Sequence, residues 1–472
     1  MSPSPPTRRE FALVCVLLVS VIYFFSSGRS RIQTVPLTFR GDIVIAEPHN
    51  NLAPSLSAQL NWGASAVPQT QLVSHVPGWT IFDKLYLYNG TVYVVCDDPK
   101  NIPDVSKFYS KGIRILNGKE AEDSRLPTNE DIQIISSKEA KALFGAAAQV
   151  IDGVTFLIND PQQFITHYYH WSAELGFGLW RAYSSLDHYI THDGNTTLPP
   201  PRRIIFNRVD AARWRDYASM NQWFIRSAWP SLTMEFIDDW KDRTSMGVPF
   251  VFERVLIADR SAAMMGHNYA RFQRTAAVAF PLPGSAYWWM PIRNNVVKYT
   301  GLEPAVGSGT MTTPVITYIS RQDWGRRMLI PEDHDRLVRE LYKLRDEYGY
   351  EVNVVSMDKL SRKEQIRLAA RTTIMMGVHG NGLTSLLWMN PSPRSTVIEF
   401  FFPGGFAHDY EYTTRALGMI HYGFWGSQFF TSPGVPLPKY VEGFQGNAIP
   451  IDGEAVARLC RDRLTLTMED DD

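Results

Sequence analysis

The chain has 472 residues with 47 basic and 48 acidic side chains, so its formal net charge is −1. This length exceeds one ordinary hydrophobic core, and we therefore expect two domains. The balanced charge, without a long basic block, argues against a nucleic acid partner.

The N-terminal residues predict a membrane anchor. The stretch from Phe11 to Phe25 is apolar except for one serine and follows two arginines, a pattern typical of a short membrane span or of a signal peptide. We expect a cytoplasmic tail at 1–10, an uncleaved signal-anchor at 11–28, and a stem rich in Pro, Ser and Ala at 29–80. Two arginines beyond the span weaken the charge asymmetry that sets orientation. The large body that follows favours a single-pass type II protein with that body in the lumen.

Two sequons and two cysteines bear on the compartment. Asn89 and Asn195 each begin an Asn-x-Thr sequence, which predicts N-glycosylation in the lumen. Cys96 and Cys460 are the cysteines outside the anchor. They could form a lumenal disulfide or remain two buried free thiols, and the sequence leaves both alternatives open.

Residues 81–290 predict a first α/β domain. The alternating pattern on either side of the Asn-Gly dipeptide at 89–90 predicts a β-hairpin, and apolar residues at helical spacing predict a helix at 167–186. The segment 261–313 is irregular and rich in proline and glycine, so we place the connection between the domains there. Further strands are predicted at 112–116, 132–136, 154–159, 203–209, 234–237 and 254–258, with a second helix at 213–229.

The first predicted helix carries a histidine and a carboxylate on one face. His170 and Glu174 are four residues apart, so they can hydrogen-bond near the start of the helix. A histidine oriented by a carboxylate is a general-base arrangement, but a solvated pair on a helix surface has the same spacing. With His167 the pair also has a loose metal-ligand spacing. No His-Glu-x-x-His motif or Cys/His cluster accompanies it, so no metal is predicted.

Residues 291–472 predict a second domain in which strands and helices alternate. Strict alternation is typical of a parallel sheet with a Rossmann-like topology. Ligands of such sheets bind beyond the carboxyl ends of the strands, so the residues that follow the strands are candidate site residues. Buried strands are expected at 314–321, 351–356, 373–378 and 396–402, and helices at 331–348, 361–371, 383–389, 410–417 and 452–467.

Two loops at these carboxyl ends suit an anionic ligand. Three arginines follow the first strand, and guanidinium groups bind a diphosphate through paired hydrogen bonds. The turn His379-Gly380-Asn381-Gly382 follows the third strand. Its glycines let the backbone approach a phosphate, and the next helix presents free N–H groups. A solvated arginine loop and an ordinary tight turn are the alternatives.

Three stretches resemble the glycosyltransferase family 61 proteins. They are YYHWSAELGFGLWRAY, YISRQDWGRR, and MMGVHGNGLTSLLWM with the following VIEFF, and the similarity extends over residues 150–425. The resemblance implies an inverting transfer of a sugar, xylose or N-acetylglucosamine, from a UDP-sugar to a hydroxyl of a glycan or glycoprotein in the Golgi or endoplasmic reticulum. It also implies a GT-B-like scaffold with two Rossmann-like domains facing a cleft, and no cofactor besides the UDP-sugar co-substrate.

The resemblance gives the candidate residues roles. We expect His170 to deprotonate the acceptor hydroxyl while Glu174 orients it, or Glu174 to be the base with His170 as a binding residue. Near the end of the next strand, the Glu399 carboxylate could accept from ribose or sugar hydroxyls, or pair with an arginine. The donor-binding residues are expected to be Arg321, Arg326, Arg327, His379, Gly380, Asn381, Gly382 and Glu399.

Metal dependence can also be read from the sequence. The Asp-x-Asp motif that usually binds manganese in GT-A enzymes occurs at Asp333-His334-Asp335, inside a predicted helix, and in the acidic C-terminal tail. We therefore expect a metal-independent reaction in which arginines stabilise the leaving UDP.

A non-catalytic lumenal glycan- or nucleotide-binding protein on the same fold is the alternative. A hydrolase is disfavoured because the chain lacks a Gly-x-Ser-x-Gly motif.

Overall fold

The computed structural model describes residues 58–303 and 313–466. The predicted tail, the predicted anchor and most of the predicted stem lie outside these residues. Within the described ranges, no helix is both long and apolar enough to span a bilayer. The end of the predicted stem belongs to the fold, because residues 59–61 and 71–76 form strands of the first sheet.

A mixed nine-stranded sheet contains the first part of the described chain. Its strands are β1 (Gln59–Asn61), β2 (Gln71–Val76), β3 (Trp79–Tyr88), β4 (Thr91–Val95), β5 (Ile132–Ile135), β6 (Ala147–Ile158), β7 (Arg203–Phe206), β8 (Thr233–Glu235) and β9 (Phe250–Ala258). The order is β5-β4-β3-β9-β6-β7-β8, with β1 on β6 and β2 on β3. Strand β6 is parallel to β7 and β9, whereas β3 is antiparallel to β9. The first half is α/β, but its sheet differs from the parallel sheet of a Rossmann-like domain.

The local signals in this half had different outcomes. The hairpin is confirmed: Asn89 and Gly90, with φ of 50° and 86°, join β3 to β4, as a type I′ turn requires. The strand predicted at 112–116 is wrong, since this segment is irregular. Gln163 replaces a strand partner there: its amide accepts from the N–H of Ile115 at 2.9 Å and donates to the Ile115 carbonyl at 3.0 Å.

A six-stranded sheet contains the second part of the chain. Its strands are β10 (Val315–Ile319), β11 (Glu351–Val355), β12 (Ile374–Val378), β13 (Thr396–Phe400), β14 (Ile420–Trp425) and β15 (Gln428–Thr431). The order is β11-β10-β12-β13-β14-β15, parallel except for the last pair. The alternation expected from 314 onward is thus confirmed, while β14 and β15 lie where no strand is predicted.

Helices connect the strands of both sheets. The helix predicted at 167–186 is divided into a π-helix at His170–Gly176 and an α-helix after it. Residues 381–388 form a 3-10 helix rather than an α-helix. The α-helices of the described residues are α1 (Lys119–Ser124), α2 (Ser137–Phe144), α3 (Gln162–Ile165), α4 (Phe177–Ser184), α5 (Met220–Ala228), α6 (Ile237–Ser245), α7 (Arg260–Ala263), α8 (His267–Phe272), α9 (Met290–Tyr299), α10 (Pro331–Tyr348), α11 (Arg362–Arg371), α12 (His408–Ala416) and α13 (Gly453–Leu464).

Helix α10 was predicted from local sequence signals, whereas helix α9 was not. Helix α10 has the predicted bounds, because a proline occupies its first turn and Gly349, with φ of 72°, ends it. Helix α9 lies in the segment predicted to be irregular. Its Arg293 is buried and donates to the backbone carbonyl of Trp388 at 3.1 Å. This distant partner, which no local pattern shows, helps to hold α9 in place.

One hydrophobic core joins the two sheets. It contains Phe224 and Trp289 from the first part of the chain and Trp388 from the second. The ring centroids of Phe224 and Trp388 are 5.4 Å apart, and the indole N–H of Trp289 donates to the carbonyl of Leu387 at 2.9 Å. Because these aromatic contacts are buried, the π-helix of the first half is held beside the 3-10 helix of the second.

Candidate active site

The predicted pair His170 and Glu174 is present. Nδ1 of His170 lies 2.5 Å from Oε2 of Glu174. The surrounding helix is π-helical, a form that is frequent at functional sites. A Cβ on Gly176, at the end of this turn, would lie 2.5 Å from the ring of Phe224. Glycine therefore allows the π-helix to pack directly on the shared core.

Glu174 is a buried carboxylate with several hydrogen-bond donors. Nη1 of Arg260 donates to Oε2 at 3.0 Å, and the N–H of Thr275 donates to Oε1 at 3.3 Å. Burial alone would raise the pKa of Glu174, but the charge of Arg260 and the contact with His170 outweigh burial and hold this pKa well below its usual range. An ionised carboxylate with these donors suits orienting His170 better than accepting a proton.

His170 borders a cavity of about 390 Å³. Its side chain is 29% exposed, against 3% for Glu174. Since Nδ1 contacts Glu174, Nε2 is the ring nitrogen left for a ligand in the cavity. Phe164, Tyr269 and Arg274 also line this space, and its volume is typical of a small-molecule site. A hydroxyl-bearing ligand fits this combination of a base and aromatic walls.

Two arginines near this cavity were missed by the sequence analysis. Arg260 bridges Glu174 and Asp160, the latter at 3.2 Å. Arg274 is buried and pairs with Asp409 of the second half at 3.1 Å. Neither arginine belongs to a motif, and the partners lie 86 and 135 residues away in sequence. No local pattern could have indicated these ion pairs.

His379, at the carboxyl end of β12, belongs to a buried row of three side chains. Its Nδ1 lies 2.5 Å from Oε1 of Glu399, and Nε2 of His421 lies 2.9 Å from Oε2. Burial raises the pKa of Glu399 well above its usual value and lowers the pKa of His379 to about 4, so neutral forms are favoured. Both oxygens of Glu399 are occupied beneath His379, which leaves none directed at the sugar hydroxyls expected from the sequence.

The glycines of the turn allow close approach of other side chains. Gly380 has an extended backbone, so it is not required for a left-handed conformation. A Cβ on Gly380 would lie 2.7 Å from Nη1 of Arg321, and one on Gly382 would lie 3.0 Å from Cγ2 of Ile319. The turn is therefore packed directly against the end of β10 and the first loop arginine.

The three loop arginines form a cationic group. Arg321 stacks on Trp324 at 5.4 Å, and its Nε has no hydrogen-bond partner among the described residues. Arg327 donates to the backbone carbonyl of His379 at 3.3 Å, while Arg326 is exposed. Burial and the charge of Arg327 lower the pKa of Arg321. Like charges therefore lie close together in this loop, as expected of a site for a diphosphate.

Asn381 brings the two groups of predicted residues together. Its Oδ1 accepts from the backbone N–H of Tyr169 at 3.2 Å, and its Nδ2 donates to the hydroxyl of Tyr217 at 2.8 Å. Tyr169 directly precedes His170. A cavity of about 170 Å³ lies beside this contact, at the end of β10, and is lined by Arg321 and Asn381 among other residues. The candidate base and the cationic loop border two different cavities, and the hydrogen bond between Tyr169 and Asn381 links the segments that carry them.

The sequons and cysteines were also predicted sites. Asn89 and Asn195 are both exposed, so the side chains that would carry glycans are accessible. Cys96 and Cys460 are free thiols, which corrects the disulfide alternative. Cys460 is buried in the hydrophobic core beneath the second sheet, and apolar packing explains its position without a partner.

The Asp-x-Asp sequence of the second half has a structural role. Asp333 lies in the first turn of α10, and its carboxylate accepts from the N–H of Ile451 at 3.1 Å. Within residues 58–303 and 313–466, no group of three or more His, Cys, Asp or Glu side chains could hold a metal ion.

Comparison with known families adds independent information. A family model described as Glycosyltransferase 61 matches residues 158–398, just over half of the chain. The match includes the His170–Glu174 pair, the arginine loop and the His379 turn. No curated protein matches the chain. The chain belongs to the glycosyltransferase family 61.

Proposed function

We propose that the protein transfers a sugar from a UDP-sugar to an acceptor hydroxyl with inversion at the anomeric carbon. Family membership supports glycosyl transfer in general. The observation that carries the more specific proposal is the hydrogen bond between Tyr169 and Asn381. Through it, a histidine held by a carboxylate lies next to a turn bordered by arginines.

The reaction is a single displacement. Nε2 of His170 takes the proton of the acceptor hydroxyl while the hydroxyl oxygen attacks the anomeric carbon from the face opposite UDP. The new C–O bond forms as the bond to the diphosphate oxygen breaks, and its electron pair leaves with UDP. Glu174 stabilises the imidazolium. Arg321 and Arg327 stabilise the negative charge that develops on the diphosphate.

In this proposal His379 is part of the donor-binding turn, so its ring must be held in one orientation. We assign Glu399 and His421 to positioning His379, since both carboxylate oxygens are bound by these histidines. Arg326, Gly380 and the other turn residues complete the donor site. Because guanidinium groups supply positive charge at the diphosphate, the proposed reaction is independent of metal ions.

The scaffold and location are parts of the same proposal. A GT-B-like arrangement is supported by two sheets, each connected by helices, that place candidate residues beyond parallel strands, although the first sheet is mixed.

A type II signal-anchor at 11–28 and a Golgi or endoplasmic reticulum location are supported by the apolar N-terminal sequence and the exposed sequons. The resemblance described above favours xylose or N-acetylglucosamine as the sugar and a glycan or glycoprotein as the acceptor.

A donor panel tests the proposal. The soluble body, residues 58–472, is incubated with UDP-xylose, UDP-N-acetylglucosamine, UDP-glucose and UDP-galactose, and released UDP is measured with and without a glycoprotein mixture. We expect release from one donor, stimulated by the acceptor, and a product of inverted anomeric configuration by NMR. Retention of configuration would contradict the mechanism. UDP binding without release from any donor would favour the non-catalytic binding protein.

A further inference from the structure

A cavity of about 920 Å³ lies away from the candidate active site. It is bordered by residues 199–202, which precede β7, and by residues 228–232, which precede β8. Strands β6, β7 and β8 are parallel, and His170 comes after the carboxyl end of β6. The cavity therefore lies toward the opposite edge of the sheet, and it shares no lining residue with the two cavities of the candidate active site. Its volume is typical of a ligand site, and the proposed reaction gives it no role.

The walls of this cavity combine indole and proline rings. Trp180 of α4 and Trp229, which follows α5, both line it. Five prolines extend the apolar surface, and they are Pro199, Pro200, Pro201, Pro230 and Pro291. Flat apolar rings pack well against the C–H face of a sugar ring, because contact there removes apolar surface from water.

The cations that line the cavity already have partners. Arg254 donates two hydrogen bonds to Asp83, at 2.7 and 2.8 Å. Arg202 pairs with Asp152. An anionic ligand would have to displace these carboxylates, so the cavity suits a ligand without negative charge.

Polar groups at the rim remain available for hydroxyls. Ser231 is exposed, and its hydroxyl makes no hydrogen bond to any residue that the structure describes. Nδ2 of Asn295 donates to the carbonyl of Ala228 at 3.1 Å, whereas its Oδ1 accepts no hydrogen bond within the same described ranges. The exposed carboxylate of Glu253 is a further acceptor. Apolar rings, scattered hydrogen-bonding groups and paired cations together fit a neutral carbohydrate.

The sequon at Asn195 lies directly beside this cavity. Asn195 is exposed, and Thr196 and Leu198 line the cavity. The buried carboxylate of Asp187 accepts from the hydroxyl of Thr196 at 2.7 Å and from the N–H of Thr197 at 2.8 Å. These bonds fix the loop, so a glycan on Asn195 begins at a defined point next to the cavity.

Helix α9 holds the same loop from its other side. A Cβ on Gly194 would lie 3.0 Å from backbone atoms of Met290 and Pro291. Nδ2 of Asn294 donates to the carbonyl of Asp193 at 3.0 Å. Since Pro291 also lines the cavity, the sequon loop and this wall of the cavity are packed as one unit.

We propose that the N-glycan carried by Asn195 folds back and docks its first sugar rings in this cavity. The inference rests on the lumenal location in the proposed function, because host enzymes attach N-glycans there. The innermost rings are uncharged N-acetylglucosamine residues, which match the apolar walls and the paired cations. Covalent attachment gives these rings an effective concentration of about millimolar, so docking requires only modest affinity.

Glycosidase protection tests the inference. The full chain is produced in a eukaryotic host and purified in detergent, and mass spectrometry measures the glycan at Asn195 and at Asn89. An endoglycosidase that cuts between the two core N-acetylglucosamine rings is then added to the native and to the denatured protein. Asn89 is the internal control, because it is exposed and lines none of the cavities described above.

A pair of serine variants separates the cavity from the loop. Ser231→Leu removes a hydroxyl at the rim and narrows the cavity. Ser65→Leu is the matched control, since Ser65 is also an exposed serine outside helices and strands and does not line the cavity.

We expect release from Asn195 to be about tenfold slower in the native than in the denatured chain, because the core is cut only while it is outside the cavity. Release from Asn89 should be similar in both states. Ser231→Leu should accelerate release from Asn195, whereas Ser65→Leu should leave it unchanged.

Three results would overturn the inference: no glycan at Asn195, no protection of that glycan, or protection that Ser231→Leu leaves intact. Absence of glycan from both sequons would refute the lumenal location as well. UDP release, measured on the same protein with the donor panel, reports separately on the proposed transferase.

Discussion

The backbone N–H of Tyr169 donates to Oδ1 of Asn381 at 3.2 Å. One partner precedes the proposed base, and the other belongs to the proposed donor turn. A side-chain amide of the second half thus fixes the backbone of the first half next to His170. Small movements of the turn should therefore shift the position of His170.

Asn381→Ala tests this link. The substitution leaves the N–H of Tyr169 without its partner, at a cost of about 1–3 kcal/mol, and frees the π-helix to shift. We expect kcat/KM to fall roughly 10- to 100-fold. Tyr217→Phe removes only the hydrogen bond that Nδ2 of Asn381 donates and should cost about threefold or less. Equal losses in the two variants would show that the link to Tyr169 is not the important one.

The variants His170→Ala and Glu174→Gln test which of the two residues is the general base. Loss of a general base should lower kcat by roughly two to four orders of magnitude while UDP affinity is retained. Glu174→Gln keeps the shape of the buried side chain and should reduce kcat less, although it weakens the pairing with Arg260. Steady-state kinetics with the identified donor measures both. If Glu174→Gln is the more damaging change, the two roles are exchanged.

Gly380→Ala provides a steric test of the arginine loop. The added methyl would lie 2.7 Å from Nη1 of Arg321 and displace it, so we expect weaker UDP binding. Arg321→Ala should raise the Kd for UDP about 10- to 100-fold, because a charge-assisted hydrogen bond contributes about 1.5–3 kcal/mol. Gly434→Ala, where a Cβ meets one atom at an ordinary 3.5 Å, is the control. Calorimetric titration with UDP should give a raised Kd for Gly380→Ala and Arg321→Ala and an unchanged Kd for Gly434→Ala.

Chelation tests the role of metal ions. If arginines alone balance the diphosphate, activity should persist in EDTA and should not increase when Mn²⁺ is added. UDP release measured in metal-depleted buffer is the assay. Activity that is lost in EDTA and restored by Mn²⁺ would direct attention to Asp333 and Asp335 instead.

Buried histidines make stability depend on pH. Burial lowers the pKa of His379 to about 4 and that of His421 to about 3, whereas an unfolded histidine titrates near 6.5. At these two histidines the unfolded chain therefore binds more protons below pH 6.5, and their contribution to stability falls as the pH decreases toward 4. We expect His421→Asn to show a flatter decline in thermal midpoint than wild type between pH 7 and 4.5. His192→Asn, at a partly exposed position, should follow the wild type.

The sequence predicted most where local chemistry determines the backbone. The bounds of α10 and the Asn-Gly turn at 89–90 depend on residues a few positions apart, and both were predicted correctly. The His170–Glu174 pair needed only helical spacing, which the π-helix preserves well enough for contact. The alternation after residue 314 likewise predicted the parallel strands β10 to β13.

Other features depend on residues far apart in sequence. Arg274 and His421 became site residues only through folding, since their partners Asp409 and Glu399 lie on other elements. The strand predicted at 112–116 was lost because Gln163 satisfies the Ile115 backbone. The pattern of a single sequence does not show that a distant side chain will hydrogen-bond to the backbone of a segment and replace its strand partner.

The tryptophan-rich core between the sheets has a consequence for substrate exchange. Rotation of one sheet against the other as a rigid body would separate Trp388 from Phe224 and break the bond of Trp289 to the Leu387 carbonyl. Exposing these buried aromatic surfaces would cost several kcal/mol, on the order of 1.5–3 kcal/mol for each large side chain. We therefore expect product release to depend on movement of surface loops, such as the one carrying Trp324, while the two halves stay together through the catalytic cycle.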